Sequence, residues 1–217
     1  MGGASLGDAT FIPPAHTLVP ELVGDMEKFA HNDRVALPEL LRIAIIHYQF
    51  ETIHPFCDGN GRVDRLLIPI YLVEKGLLKR PALYIYDFFE RNRKLYYDNL
   101  TSVRTDSNLR QWIRFFLVGI VEAAQKGAET FDAILKLQRE CEDKINSLRG
   151  KAYSARTVSL YKQPFVTAFD VAEITGKTPA SAYKLIEDLA RLNILVEITG
   201  GKRGKCYVFK GYLTIYK

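Results

Sequence analysis

Apolar residues recur at helical spacing through most of the first two thirds of the chain. Val19–Ala30 reads as a helix, and residues 38–52 as a second in which Leu40, Leu41, Ala44, Ile45, Tyr48 and Thr52 share a face and Pro38 suits the first turn. His54-Pro55 is predicted to end that helix, because proline disfavours helical backbone in the residue before it. From Gly61 the pattern Val63, Leu66, Leu67, Ile70, Tyr71 resumes and runs toward Gly76, an expected C-terminal cap. Three further helices are expected over residues 88–104, 109–127 and 128–148, the last rich in alternating charge.

The pattern changes at Arg149-Gly150. Residues 166–175, Gly176-Lys177-Thr178 and residues 179–192 read as helix, tight turn, helix, with Thr178 as N-cap and Pro179 at the first helical position. Residues 194–199 and 205–209 are β-like runs around Gly200-Gly201-Lys202-Arg203-Gly204. This part resembles a winged helix. The expected fold class is therefore mainly α: an all-α helical core followed by a small α+β winged helix-turn-helix domain. The expected organisation is an N-terminal segment 1–17, a helical domain 18–150, a linker 151–163 and a C-terminal domain 164–217.

Composition agrees with a folded chain: of 217 residues, 47% are hydrophobic and 25% charged. The longest apolar runs, 66–73 and 115–121, are broken by Pro69 or bounded by charge, well short of the ~18 residues a bilayer span needs. The first residues lack the basic end and apolar stretch of a signal peptide, so neither export nor a membrane anchor is expected. Cys57, Cys141 and Cys206 have no paired spacing for a disulfide framework or zinc ribbon, and a reducing cytoplasm is the expected location. The net charge of +5 is unevenly placed: residues 1–150 hold 19 Lys and Arg against 20 Asp and Glu, and residues 151–217 hold 11 against 5.

One stretch concentrates chemistry: HPFCDGNGRVDR, from His54 to Arg65. Asp58-Gly59-Asn60-Gly61 before a helix offers free backbone N–H groups, little steric bulk and the positive end of the helix dipole, which suit a phosphate. Arg62 and Arg65 fall on one helix face, where their forks can hold further phosphate oxygens. Asp58 beside phosphates calls for a bridging cation such as Mg²⁺, which commonly takes one or two carboxylates plus phosphate oxygens. His54 can accept a proton near neutral pH. A competing reading makes His47, His54 and Asp58 the ligands of a hydrolase metal; it explains neither Gly-Asn-Gly nor the arginines.

The stretch matches His-x-Phe-x-(Asp/Glu)-Gly-Asn-Gly-Arg-x-x-Arg at every specified position, and through it the chain resembles the Fic-domain family of protein adenylyltransferases. Residues 18–148 are similar to that family's all-α core, and residues 9–14 (ATFIPP), with Thr10, Phe11 and Ile12, to its substrate-positioning flap. The resemblance implies transfer of AMP from ATP to a Ser, Thr or Tyr hydroxyl of a target protein, with release of pyrophosphate. It makes His54 the base, Asp58 the Mg²⁺ ligand, and Gly59, Asn60 and Gly61 the anion cradle. Arg62 and Arg65 then grip the outer phosphates, Tyr96 and Tyr97 line the nucleoside pocket, and Phe56 is a buried anchor of the loop. Arg104 stands where some relatives carry an asparagine for the nucleoside. The kinase-like branch of the family departs from Gly-Asn-Gly, so both glycines favour nucleotidyl transfer. The family's inhibitory motif, (Ser/Thr)-x-x-x-Glu-(Gly/Asn), finds its nearest approach at Thr17 to Glu21, followed by Leu22. Arg65 is accordingly expected to be free for phosphate.

In the C-terminal part, Lys177, Lys184, Arg191, Lys202, Arg203 and Lys205 give a basic face of the kind DNA binders use. The balancing reading is a protein-protein adaptor or dimerisation module, which would pair two copies as a homodimer. The whole chain thus reads either as an AMP transferase carrying a targeting module, or as a nucleotide-sensing, DNA-binding transcription regulator.

Overall fold

The computed structural model describes residues 11–148, 160–201 and 204–216. Most of them are helical, with one small three-stranded sheet. None of the described helices is long and apolar enough to cross a membrane. The chain divides into two compact units, Met1–Gly127 and Ala128–Lys217.

In the first unit, α1 (Val19–Ala30) and α2 (Glu39–Ile53) lie within a residue of the ranges their periodicity predicts. Pro38 is the N-cap of α2 rather than a residue of its first turn. Burial on α2 departs from the expected apolar face. Ile43, Ala44, Ile46, Phe50 and Ile53 are buried together with the polar Arg42, His47 and Glu51, whereas Leu40, Leu41, Ile45, Tyr48 and Thr52 are only partly covered. Arg42 donates to the Phe29 and Val35 carbonyls, each at 2.7 Å, so a buried cation closes the connection between α1 and α2.

α3 (Asn60–Glu74) follows, carrying Pro69 in its interior, and Gly76 beyond its end adopts φ 71°. The single helix expected over 88–104 is two, α4 (Tyr86–Arg91) and α5 (Arg93–Asp106). Asn92 divides them, its amide donating to the Phe88 carbonyl at 2.9 Å. Trp112 and Phe116 of α6 (Leu109–Asn146) are fully buried in this unit's core, and the Trp112 indole donates to the Ala44 carbonyl at 2.8 Å. The break expected at Gly127 does not occur: α6 runs straight through it. One exposed glycine costs a helix only about 1 kcal/mol, and the alanines at 123, 124 and 128 around it favour continuation.

In the second unit, β1 (Phe165–Thr167), β2 (Val196–Glu197) and β3 (Cys206–Val208) form an antiparallel sheet of order β1-β3-β2, with Val166 opposite Tyr207 and Val196 opposite Val208. The first residues of the helix expected over 166–175 are strand; α7 is Ala168–Thr175, started by a capping box in which Thr167 and Asp170 satisfy each other's backbone N–H. Gly176 turns the chain at φ 63°, and Thr178 caps α8 (Pro179–Arg191) with Pro179 at its first position, as the sequence predicts. Val166, Val171, Ala182, Ile186 and Leu189 are fully buried beneath the sheet and helices. A short α9 (Lys210–Thr214) has no counterpart in the sequence pattern.

Candidate nucleotide site

The site is made where α2 stops and α3 starts. α2 ends because His54 precedes a proline; its backbone turns to φ 52°, ψ 57°, while its N–H still reaches the Phe50 carbonyl at 2.9 Å. α3 begins because Gly59, at φ 85°, reverses the chain without steric cost. Asn60 is buried and locks the loop between them: its amide oxygen accepts from the Phe56 N–H at 2.8 Å and its NH₂ donates to the Phe56 carbonyl at 2.5 Å. The Asn60 side chain is therefore spent on the loop, and only its backbone faces the anion cradle.

These elements form one wall of a cavity of about 440 Å³, to which His54, Asp58, the glycine loop, Arg62 and Arg65 contribute. Tyr86, Glu90, Arg93, Tyr96 and Tyr97 of α4 and α5 also line it. The glycines give the arginines room. A Cβ at Gly59 would lie 3.3 Å from an Arg62 terminal nitrogen, and one at Gly61 only 2.9 Å from an Arg65 terminal nitrogen. Arg65 also stacks on the Tyr86 ring, 4.7 Å from its centroid. Among the described residues no carboxylate lies within ion-pair distance of Arg65.

Asp58 is almost fully exposed and pairs with Arg62 at 3.1 Å. Among the described residues no three His, Cys, Asp or Glu side chains cluster to cage a metal, which removes the hydrolase reading of His47, His54 and Asp58. A single exposed carboxylate beside an anion cradle fits a magnesium ion that arrives on phosphate oxygens.

His47 is fully buried in an aromatic box, stacked on Trp112 with centroids 5.6 Å apart. Its Nε2 meets the Tyr96 hydroxyl at 2.9 Å and its Nδ1 lies 3.0 Å from Asp64 Oδ1. Burial pushes its pKa down to about 4. Burial also raises the carboxyls of Asp64 and Glu51, and the neighbouring Asp64 raises Glu51 further. His54 is lowered from the ordinary imidazole range by desolvation, opposed in part by Glu51, whose Oε2 is 4.0 Å from His54 Nδ1. At neutral pH His54 is thus an uncharged imidazole able to take a proton.

The structure brings His54, Asp58, Gly59, Asn60, Gly61, Arg62, Arg65, Tyr96 and Tyr97 to one cavity. Tyr96 is buried with its hydroxyl committed to His47, whereas Tyr97 is exposed. Phe11 lies under Arg104, whose guanidinium carbon is 3.6 Å from the ring centroid, and Ile12 is exposed; Thr10 lies outside the described residues. Phe56 corrects the expectation of a buried anchor: it is 49% exposed, its ring centroid 6.2 Å from that of Phe50. Asn60 does that anchoring instead. In the second unit Lys177 and Lys184 are exposed, Lys205 is paired with Glu197 at 3.2 Å, and Lys202 and Arg203 lie outside the described residues. The sequence pattern missed Glu51, Asp64, Tyr86, Glu90 and Arg93; the one available signal was the i to i+4 spacing of His47 and Glu51 on a helix leading into the loop.

Residues 4–72 match the family model described as Fic/DOC family. A protein of Aquifex aeolicus named "Probable protein adenylyltransferase" is 33% identical over 110 residues, covering 43% of this chain and 34% of that one. A "Protein adenylyltransferase fic-1" of Caenorhabditis briggsae is 37% identical over 67 residues, covering 30% and 13%, and a "Protein adenylyltransferase Fic" of Culex quinquefasciatus is 33% identical over 105 residues, covering 48% and 20%. The chain thus spans about a third or less of the length of these relatives. A crystal structure of a Fic family protein from Desulfovibrio desulfuricans G20 shares the fold with TM-score 0.51 at 20% identity, covering 91% of this chain and 56% of that one.

Proposed function

We propose that this chain transfers AMP from ATP to a hydroxyl side chain of a target protein and releases pyrophosphate. The observation that carries this reading is the assembly in one cavity of an uncharged histidine, a glycine-rich helix start and two arginines with room to fold over it. Relatives named protein adenylyltransferase support it from a second direction.

In this scheme the backbone N–H groups from Gly59 to Gly61 hold phosphate oxygens at the positive end of α3. Arg62 and Arg65 neutralise charge on the β- and γ-phosphates, which leave together as pyrophosphate. Asp58 would hold magnesium, which supplies charge neutralisation on the phosphates when bound. Arg62 leaves Asp58 at little cost, since an exposed ion pair is worth at most about 1 kcal/mol. His54 removes the proton from the acceptor Ser, Thr or Tyr as its oxygen bonds to the α-phosphorus and the bond to the β-phosphate oxygen breaks. Most of the acceleration comes from alignment and preset electrostatics rather than from the base. Phe11, held under Arg104, belongs to the flap that would align the acceptor segment.

The test is intact mass after incubation with ATP and Mg²⁺. The unaltered chain should gain an AMP adduct or pass one to a target, and His54→Ala should do neither while still binding ATP.

A second reading concerns the C-terminal unit. The first turns of α8 expose Ala180, Ser181, Tyr183 and Lys184, with Lys177 just ahead of them. Small and basic residues at the start of a second helix suit entry into a DNA major groove, which supports a regulator that senses nucleotide. It predicts duplex binding that weakens steeply with salt, whereas an adaptor or homodimerisation role predicts none.

A further inference from the structure

Behind His54, side chains that the reaction scheme leaves unused line up as a buried polar path. It begins at the Tyr96 hydroxyl in the cavity wall and passes to His47 Nε2 at 2.9 Å. From His47 Nδ1 it reaches Asp64 Oδ1 at 3.0 Å, both residues fully buried. Asp64 neighbours Glu51 closely enough to raise its carboxyl, neither Asp64 oxygen has a hydrogen-bond partner, and Glu51 Oε2 stands 4.0 Å from His54 Nδ1. That His54 nitrogen is itself buried without a hydrogen-bond partner. The exposed part of the ring is therefore its other side.

We propose that Glu51 is a positioning residue for His54: its carboxylate holds His54 in the Nδ1–H tautomer and leaves Nε2 to act as base. The inference rests on the reading of His54 as the base in AMP transfer.

Proton counting fixes the direction of the path. No other donor reaches either Asp64 oxygen, and a buried carboxylate without donors keeps its proton. His47 is neutral and can donate through only one nitrogen. Tyr96 O–H then donates to His47 Nε2, which leaves the His47 proton on Nδ1 facing Asp64 Oδ1, and His54 Nδ1–H is turned toward Glu51. With Asp64 neutral, the negative charge of the cluster rests on Glu51. Around it stand His47 and His54, Asp64 and Arg65 from α3, and Tyr96 and Arg104 from α5; Arg65 and Arg104 are the nearby cations. The 4.0 Å contact is one that closes when substrate fills the cavity, as catalytic hydrogen bonds commonly do. When His54 Nε2 takes the acceptor's proton, that proton stays on the imidazolium and Glu51 offsets its charge.

The experiment is a pH titration of the full chain labelled with ¹⁵N-histidine, followed by NMR, in the unaltered protein and in Glu51→Gln and Asp64→Asn. The His54 signal is assigned by its loss in His54→Ala. The unaltered protein should show His54 as the Nδ1–H tautomer. Glu51→Gln removes the negative neighbour, so His54 should lose its proton about half a pH unit or more lower and mix tautomers. Asp64→Asn keeps one donor and one acceptor in place and should leave both readouts unaltered. Should Glu51→Gln fail to fold, Glu51→Asp draws the charge back by one methylene and should shift the titration in the same direction by less. An unaltered His54 tautomer and titration in the folded Glu51 variant would overturn the proposal whatever the chain does with ATP. The NMR shifts without any AMP transfer would retain the proton path and remove the transferase reading.

Discussion

Two residues decide the candidate site, and each makes a prediction. His54 is lowered from the usual imidazole value by desolvation, so it stays uncharged at neutral pH, and the rate should fall only as pH drops through that lowered value. The acid limb of kcat/KM should therefore lie below about pH 6.5; a limb above it would contradict burial as the controlling influence. Asn60 satisfies both backbone groups of Phe56. Asn60→Ala should cost about 2 kcal/mol in denaturant unfolding, from two hydrogen bonds at about 1 kcal/mol each, and should weaken ATP binding as the cradle loosens. At this scale the motif was legible because its residue types state their own chemistry. Glu51 and Asp64 were not, because a carboxylate at helical spacing reads as a solvated face until the neighbouring helices are placed. Phe56 failed in the opposite sense: its apolar ring suggested burial, yet the proline and the two glycines around it set a loop that leaves it out.

At the scale of elements, α6 carries two glycines with opposite consequences. A Cβ at Gly119 would come within 2.5 Å of the Phe88 ring, whereas Gly127 has open space around it. Gly119→Ala should destabilise by about 1–3 kcal/mol through overpacking, and Gly127→Ala should stabilise by about 0.5–1 kcal/mol through the unfolded chain. Paired denaturation curves check both, and equal effects would mean that α4 and α6 do not approach closely at Gly119. The same comparison explains what periodicity could and could not show. Helix starts with strong local signals, Thr178-Pro179 and the Gly-Asn-Gly turn, were readable to within a residue. Gly127 looked like a boundary because glycine is a weak helix former, but its cost of about 1 kcal/mol is small and the flanking alanines favour helix. The break at Asn92 is made by a side chain returning to the Phe88 carbonyl, which no spacing reveals.

For the whole molecule, the buried histidine links stability to pH. His47 is near pKa 4 when folded and about 6.5 when unfolded. The unfolded chain therefore binds more protons between these values, and this contribution to stability is present above about pH 6.5 and lost as pH falls toward 4. Asp64 and Glu51, whose values are raised, act in the opposite sense: their contribution is present at low pH and lost as pH rises through their folded values. His47→Gln should thus reduce the loss of Tm on acidification from pH 6.5 to 4 relative to the unaltered chain, and an unchanged slope would place the acid sensitivity elsewhere. The mainly helical composition and the small sheet were legible from the change of period at Arg149-Gly150, because strands and helices differ in repeat regardless of their partners. The buried polar path was not, since it forms only when α2, α3 and α5 meet.

The most direct measurement of the central claim is incubation of the purified chain with Mg²⁺ and ATP labelled at the α-phosphate, the unaltered protein beside His54→Ala, with binding followed by calorimetry and label by intact mass. The account predicts that both bind ATP and that only the unaltered chain retains or transfers AMP. Failure of the unaltered chain to bind ATP, or equal labelling of His54→Ala, would contradict it.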